Sequence, residues 1–369
     1  MFIEVHLLQS FAPSNLNRDD TNAPKDCEFG GVRRARISSQ CIKRSIRMHP
    51  AFEKATGVEP GVRTRWMNRM IQEALEEAGK DPEQAKAVAE AFSAHYCKMD
   101  KTHTSVLLYI SATEIKAIKT MILEKWSEIT SSLNDGKSPT LEEIAKALFK
   151  ELKGRTSAPD IALFGRMLAE KPDLNIDAAC QVAHAISTHR VSMEMDFYTA
   201  ADDLAREDES GAGMMGVTGF NSACFYRYAR IDWEQLVSNL GADRALAKQT
   251  VEGFLRAVVA AIPTGKQNSF AAQNPPSLLM IVVRKDGQGW SLANAFEKPV
   301  TASREGGFIT PSIKALDTHW GKLVKVYGDK DTHVFVLAID SEEELVSLKD
   351  HQVSSLDEWI DQTLQLLPS

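Results

Sequence analysis

The stretch Phe29-Gly-Gly-Val-Arg-Arg-Ala-Arg-Ile-Ser-Ser-Gln-Cys-Ile-Lys-Arg-Ser-Ile-Arg47 carries most of what this chain discloses about itself. From Phe29 to Phe52 there are six cationic side chains and no acidic one: Arg33, Arg34, Arg36, Lys43, Arg44 and Arg47. Ser38 or Ser39 supplies an N-cap and Pro50 a stop, so the spacing predicts a helix from there to about Met48. Ile42 and Ile46 share its apolar face at i,i+4, and Ser39, Lys43 and Arg47 line another. Free N–H groups at a helix start, with cations one turn later, form a site for phosphate oxygens. The preceding Gly30-Gly31 lets backbone approach a ligand closely. The competing reading is a solvated helix face, although such faces usually mix the two signs.

The run stands against the average, because the 369-residue chain has a formal net charge of -7. That balance argues against a protein coated in nucleic acid on every side and allows one confined basic groove. The length accommodates two or three domains, and 43% apolar with 25% charged residues is ordinary for a globular protein. Five scattered cysteines (Cys27, Cys41, Cys97, Cys180 and Cys224) show no zinc spacing and suggest a reducing compartment. Met1-Phe2-Ile3-Glu4 has an acid where a signal peptide needs a base, and no apolar run reaches membrane length. The expectation is a soluble, cytoplasmic protein.

Working outward, residues 2–9 read as a first strand with Ile3, Val5 and Leu7 on one face. Pro13 to Gly31 reads as a polar loop. Residues 62–168 are mostly helical in pattern, apart from an apolar segment at 105–110 that suits a strand. Asp173 to His189 looks helical again. Cys224 to Ile231 is a strand, Asp232 caps a helix that runs to Ile262 with a break near Gly241, and Ser277 to Arg284 is a strand. Ser291 to Phe296 suits another strand. A helix opens at Pro311 and runs to about Tyr327, Thr332 to Ile339 is a strand, and Ser355 to Leu367 is an amphipathic helix. The fold class is α+β, a β/α core with helical and loop insertions.

Other constellations are less distinctive. Gly265-Lys-Gln-Asn-Ser269 lacks the spacing and the hydroxyl of a P-loop, but its lysine and amides suit a sugar-phosphate backbone. Gly211-Ala-Gly-Met-Met-Gly-Val-Thr-Gly219 reads either as a flexible loop or as an apolar tip able to wedge between bases through Met214 or Met215. His184 and His189, five apart, read as separate structural histidines. Asp19, Asp20, Asp26 and Glu28 would suit Mg²⁺, although aspartates at turns and caps are commoner. Lys146, Lys150 and Lys153 form an i,i+4,i+7 stripe interrupted by Glu142, Glu143 and Glu151, which favours a solvated face.

As an ordered set, these residues resemble the CasC family, the backbone subunits of the type I-E CRISPR Cascade complex, within the RAMP superfamily of RRM-like proteins. The motifs are Ser14-Asn-Leu-Asn-Arg-Asp-Asp20, Phe29-Gly-Gly, Arg33-Arg-Ala-Arg-Ile-Ser-Ser-Gln40, Asp160-Ile-Ala-Leu-Phe-Gly-Arg-Met167, Ala183-His-Ala-Ile-Ser-Thr-His189, Phe225-Tyr-Arg-Tyr-Ala229, Gly265-Lys-Gln267 and Ala293-Asn-Ala-Phe-Glu-Lys298. The resemblance implies a discontinuous RRM-like (ferredoxin-like) palm over 1–58 and 170–369, a helical finger insertion over 59–169 and a thumb arm over 190–222. It implies copies polymerised in a helical filament along CRISPR RNA, with other Cascade subunits and target DNA as further partners. No cofactor, metal or membrane is implied. The RNA contacts carried over are Ser38, Gln40, Lys43, Arg44 and Arg47, with Arg18, Arg34 and Arg36 beside them. Lys266 and Gln267 match the family's second backbone-contacting loop, Met167 falls where the family places an apolar side chain against distorted RNA, and Arg166 is carried as a further RNA contact. Met214 and Met215 would be the thumb wedge, and Lys146, Lys150 and Lys153 the candidate DNA contacts. The implied role is non-catalytic. The alternative is a metal-dependent, RNA-cleaving subunit of a type III-like complex using Asp19, Asp20 or Asp26, and a blander one is a monomeric RNA-binding module.

Overall fold

The computed structural model describes residues 1–133, 138–200, 214–339 and 344–369, and the chain is α+β. It forms two compact units. One comprises Met1–His49, Gln181–Ile231 and Phe254–Pro368, and the other Pro50–Cys180 and Asp232–Gly253.

The first unit is built on β1 (Phe2–Ser14). Its alternating Ile3, Val5 and Leu7 are buried, but so are Glu4, His6 and Gln9 between them, so both faces of the strand are covered. The polar members are matched. Glu4 accepts from Arg284 Nε at 2.7 Å, Tyr228 Oη at 2.9 Å and the Trp290 amide at 2.6 Å. Gln9 Oε1 accepts from Arg227 at 2.6 Å. Buried charge persists only with such partners. β1 pairs antiparallel with Leu278–Arg284, which pairs antiparallel with Thr332–Ala338. On the other side of β1 the sheet continues through Met214–Asp232, Ala185–Ser187, β3 (Val32–Ile37) and β2 (Asp26–Phe29). Leu278, Met280 and Val282 pack with Ile313, Leu316 and Trp320 of the helix Ile309–Tyr327.

Several expectations change. Asp173 to His189 is not a helix: its second half forms the strands Cys180–Val182 and Ala185–Ser187. Ile186 sits opposite both Arg36 and Tyr226, so sheet pairing on two sides overrides the local periodicity. The expected strand at Ser291–Phe296 is a 3₁₀ turn, Leu292–Phe296, which drops Leu292 and Phe296 into the core. The expected loop Pro13–Gly31 holds the end of β1 and all of β2. Gly30 (φ 62°) and Gly31 (φ 72°) form the two-residue turn of the β2–β3 hairpin, in which Phe29 pairs with Val32. A Cβ at Gly30 would overlap the Glu297 carbonyl oxygen, so the close approach this glycine permits is to the protein's own backbone.

The second unit is mostly helical. Met67–Glu76, Pro82–Ser93, Ala112–Glu124, Trp126–Ser132 and Pro139–Leu152 surround a core that includes Ile71, Leu75, Phe92, Ile118, Ile122 and Leu148. The suspected strand at 105–110 is Leu108–Ile110, paired with Val62–Thr64. Asp232–Gly253, expected within the palm, belongs to this unit. Asn239 Nδ2 donates to the carbonyls of Ala162 at 2.8 Å and Asp177 at 2.7 Å, which ties the segment there.

Candidate nucleic-acid interface

The predicted helix is α1 (Ser39–Arg47), capped by Ser38 in an extended conformation with its Oγ accepting from Cys41 N. Ile42 and Ile46 are buried. No acid occupies its first turn, and Arg44 and Arg47 fall in its last. The cap is itself positioned, since Ser38 N–H donates to Asn17 Oδ1 at 2.8 Å. Asn15 donates to the carbonyls of Asn22 at 3.0 Å and Gly219 at 2.8 Å. Neither asparagine was singled out from sequence, although both lie in the quoted Ser14–Asp20 motif. Asparagines that address backbone groups two or more residues away are the available signal.

The second basic loop lies against the same segment. A Cβ at Gly265 would overlap the Leu16 carbonyl oxygen, so only glycine lets this loop close onto Asn15–Leu16. Lys266 follows in the left-handed region (φ 51°) and is half-buried. Three sequence-distant motifs therefore meet in the first unit: the Asn15–Arg18 turn, the start of α1 and the Gly265 loop. Arg18, Gln40 and Arg44 are exposed there and Lys43 is half-buried.

The expected contacts separate into surface groups and internal braces. Arg34 is fully buried and donates to the carbonyls of Phe29 (3.1 Å), Ser187 (3.0 Å), Phe296 (2.7 Å) and Glu297 (3.2 Å). It secures the β2–β3 hairpin and has no face toward a ligand. Arg166 is likewise buried, in the second unit, paired with Glu114 at 2.7 Å. Arg47 is buried too. Gln267 spends its amide on Pro263 O at 3.0 Å and holds its own loop closed. Arg36 is half-buried and bonds Asp26 O and His184 Nδ1, both at 3.1 Å. Burial, then the charges of Arg36 and Lys25, lower the pKa of His184, which favours a neutral acceptor beside Arg36. His189 is a structural group: it stacks on Phe308 at 3.6 Å and accepts from Cys224 N at 3.1 Å. Asp19 accepts from Thr21 N, Thr21 Oγ1 and Ala23 N, and these bonds lower its pKa. Asp26 pairs with Arg33 at 2.9 Å.

Met167 lies in the second unit and is 83% exposed. Lys146 pairs with Glu142 at 2.6 Å and Lys153 with Asp173 at 2.9 Å, which accords with a solvated face for that stripe. The arm forms a hairpin in which Glu194–Ala200 pairs with Met214–Phe220. Residues 201–213, including the first part of the glycine-methionine segment, lie outside the described residues. Register places Met195, Phe197, Met215 and Val217 on one face, and all four are exposed. Met214 falls on the opposite face with Tyr198.

The model of one family, described as CT1975-like protein, matches residues 3–362. The chain belongs to the CT1975-like family. Among solved structures, a chain of a "CRISPR RNA-guided surveillance complex, pre-nicking" is 31% identical over 99% of both chains, with a TM-score of 0.87. A chain of a second "CRISPR RNA-guided surveillance complex" is 27% identical over 100% of both, with a TM-score of 0.78. No curated protein matches. The likeness to Cascade backbone subunits seen in the sequence thus extends to the family and to the fold of this CT1975-like chain.

Proposed function

We propose that this chain is a non-catalytic backbone subunit of a type I-E CRISPR Cascade surveillance complex. Copies polymerise along CRISPR RNA, clamp its phosphates and leave its bases open to pair with target DNA. The observation that carries this is the meeting of the Asn15–Arg18 turn, the capped start of α1 and the Gly265 loop in one unit, with Arg18, Arg44, Lys43 and Lys266 around them. Cations arranged on backbone turns suit phosphate oxygens and carry no base code, which leaves sequence to pairing. The engagement of Asp19 and Asp26 by neighbouring donors supports a structural role over the nucleolytic alternative.

The test is salt-dependent RNA binding by the Lys43→Ala/Arg44→Ala variant. Affinity should drop for every RNA sequence, and the log–log salt slope should shrink by about one for each phosphate that is no longer neutralised. An unchanged slope and affinity would show that the cluster is only solvated. Incubating the guide-loaded complex with complementary RNA and Mg²⁺ separates the alternative, since regularly spaced cuts removed by Asp19→Ala would establish cleavage.

A further inference from the structure

A second basic surface lies in the helical unit, apart from the groups assigned above. From Gly61 to Gln72 there are three arginines (Arg63, Arg65, Arg69) and no acid. From Tyr96 to Ile110 there are two lysines (Lys98, Lys101) and one acid, Asp100. The two segments are fastened together: Thr104 N donates to Arg65 O at 2.9 Å, Arg65 Nε to Thr104 O at 2.9 Å, and Asn68 Nδ2 to Thr102 O at 3.0 Å. Two carboxylates here are occupied. Asp100 pairs with Arg65 at 3.3 Å, and Glu170 accepts the Lys98 amide at 2.8 Å.

Two of the arginines are set on aromatic rings. Arg69 Cζ lies 4.6 Å from the centroid of Trp66, and Arg63 Cζ lies 4.6 Å from that of Tyr109. Trp66 meets His103 edge-on at 5.0 Å and remains 39% exposed. Neither Arg63 nor Arg69 has a carboxylate partner among the described residues. A guanidinium resting on a ring keeps its N–H edge for another acceptor, which a solvated lysine stripe does not pre-arrange. Exposed Leu107, beside this edge in sequence, adds an apolar contact.

We infer that the surface formed by Arg63, Trp66, Arg69 and Lys101, braced by Arg65, binds a nucleic-acid strand, Arg63, Arg69 and Lys101 taking phosphates and Trp66 taking a base or sugar face. This rests on the reading of the chain as an RNA-guided subunit and adds a second contact, outside both the α1 groove and the Lys146–Lys153 stripe. Charge complementarity selects the occupant: five cations, with Asp100 paired to Arg65, Glu170 taken by the Lys98 amide and Glu73 one turn beyond Arg69, leave an excess of positive charge in a chain of net charge -7 and favour a polyanion. Guide RNA and a target DNA strand offer the same chemistry, and two arms of one experiment separate them.

The complex is purified with its native partners and guide from cells expressing Arg63→Gln/Arg69→Gln/Lys101→Gln, and guide loading and labelled target-strand binding are titrated against salt. Circular dichroism establishes folding, and Arg63→Lys/Arg69→Lys serves as a charge-preserving variant. The glutamine variant should reduce the salt slope by about one to three in one arm, which identifies the strand, and the lysine variant should retain it. Unchanged slopes in both arms overturn the inference. So does loss of a co-purifying polypeptide with both slopes intact, because the surface would then be a protein interface. If the slope falls here while Lys43→Ala/Arg44→Ala leaves guide loading intact, the α1 assignment fails and this one stands.

Discussion

Arg34 and Arg44 are ten positions apart in one basic run, yet they answer to different forces. Arg34 donates to four carbonyls inside the fold, and Arg44 points to solvent. Each buried carbonyl left without its donor costs about 1–3 kcal/mol. Arg34→Met should therefore lower stability by several kcal/mol in urea titrations while leaving the salt slope of whatever folds unchanged; Arg44→Ala should do the reverse. His6 adds a pH dependence. Burial, opposed by Glu4 and aided by Arg284, lowers its pKa from 6.5 to about 4. The unfolded chain binds a proton in that interval that the fold refuses, so this contribution is intact at neutral pH and declines as pH falls through 6.5 toward 4. By pH 5 the loss from this group is about 2 kcal/mol. Urea midpoints at pH 7 and pH 5 should differ less for His6→Gln than for the parent, and equal differences would show that another group sets the trend.

At the level of elements, the apolar strands were legible because their sequence matches their setting: Leu278–Arg284 is buried at every position, and Leu278–Val283 reads as an unbroken apolar run. β3 was not legible. Its arginines hid the strand, because the energy that keeps Arg34 inside comes from carbonyls supplied 153 and 262 residues downstream. Ala185–Ser187 was missed for a related reason, being too short to show a period and defined by neighbours on both sides. The candidate site divided similarly: charge made α1 visible, but which cations face outward and which asparagines hold the turn depends on tertiary closure. The arm adds an element-scale prediction. A two-stranded ribbon with exposed apolar side chains is marginal alone. Met215 shares that face with Met195, Phe197 and Val217, and Met214 does not. If the arm is the wedge that the resemblance implies, Met215→Ser should reduce guide-RNA distortion, read by chemical probing, more than Met214→Ser, and equal effects would remove the face as the cause.

For the whole molecule, the proposed function implies that an acidic chain with small basic surfaces should bind RNA weakly as one copy and strongly as several, because linked contacts act at high effective concentration. Native mass spectrometry with RNAs of increasing length should show discrete additions of whole subunits, with affinity rising at each step. A single copy at every length would favour the monomeric module. The contact between Gly265 and the Leu16 carbonyl also bears on synthesis. The turn and α1 leave the ribosome early, but the loop that closes over them is made some 220 to 250 residues later. A nascent chain thus displays its cations long before it has the platform that aims them, which on the proposed function would keep the unfinished subunit from committing to a guide.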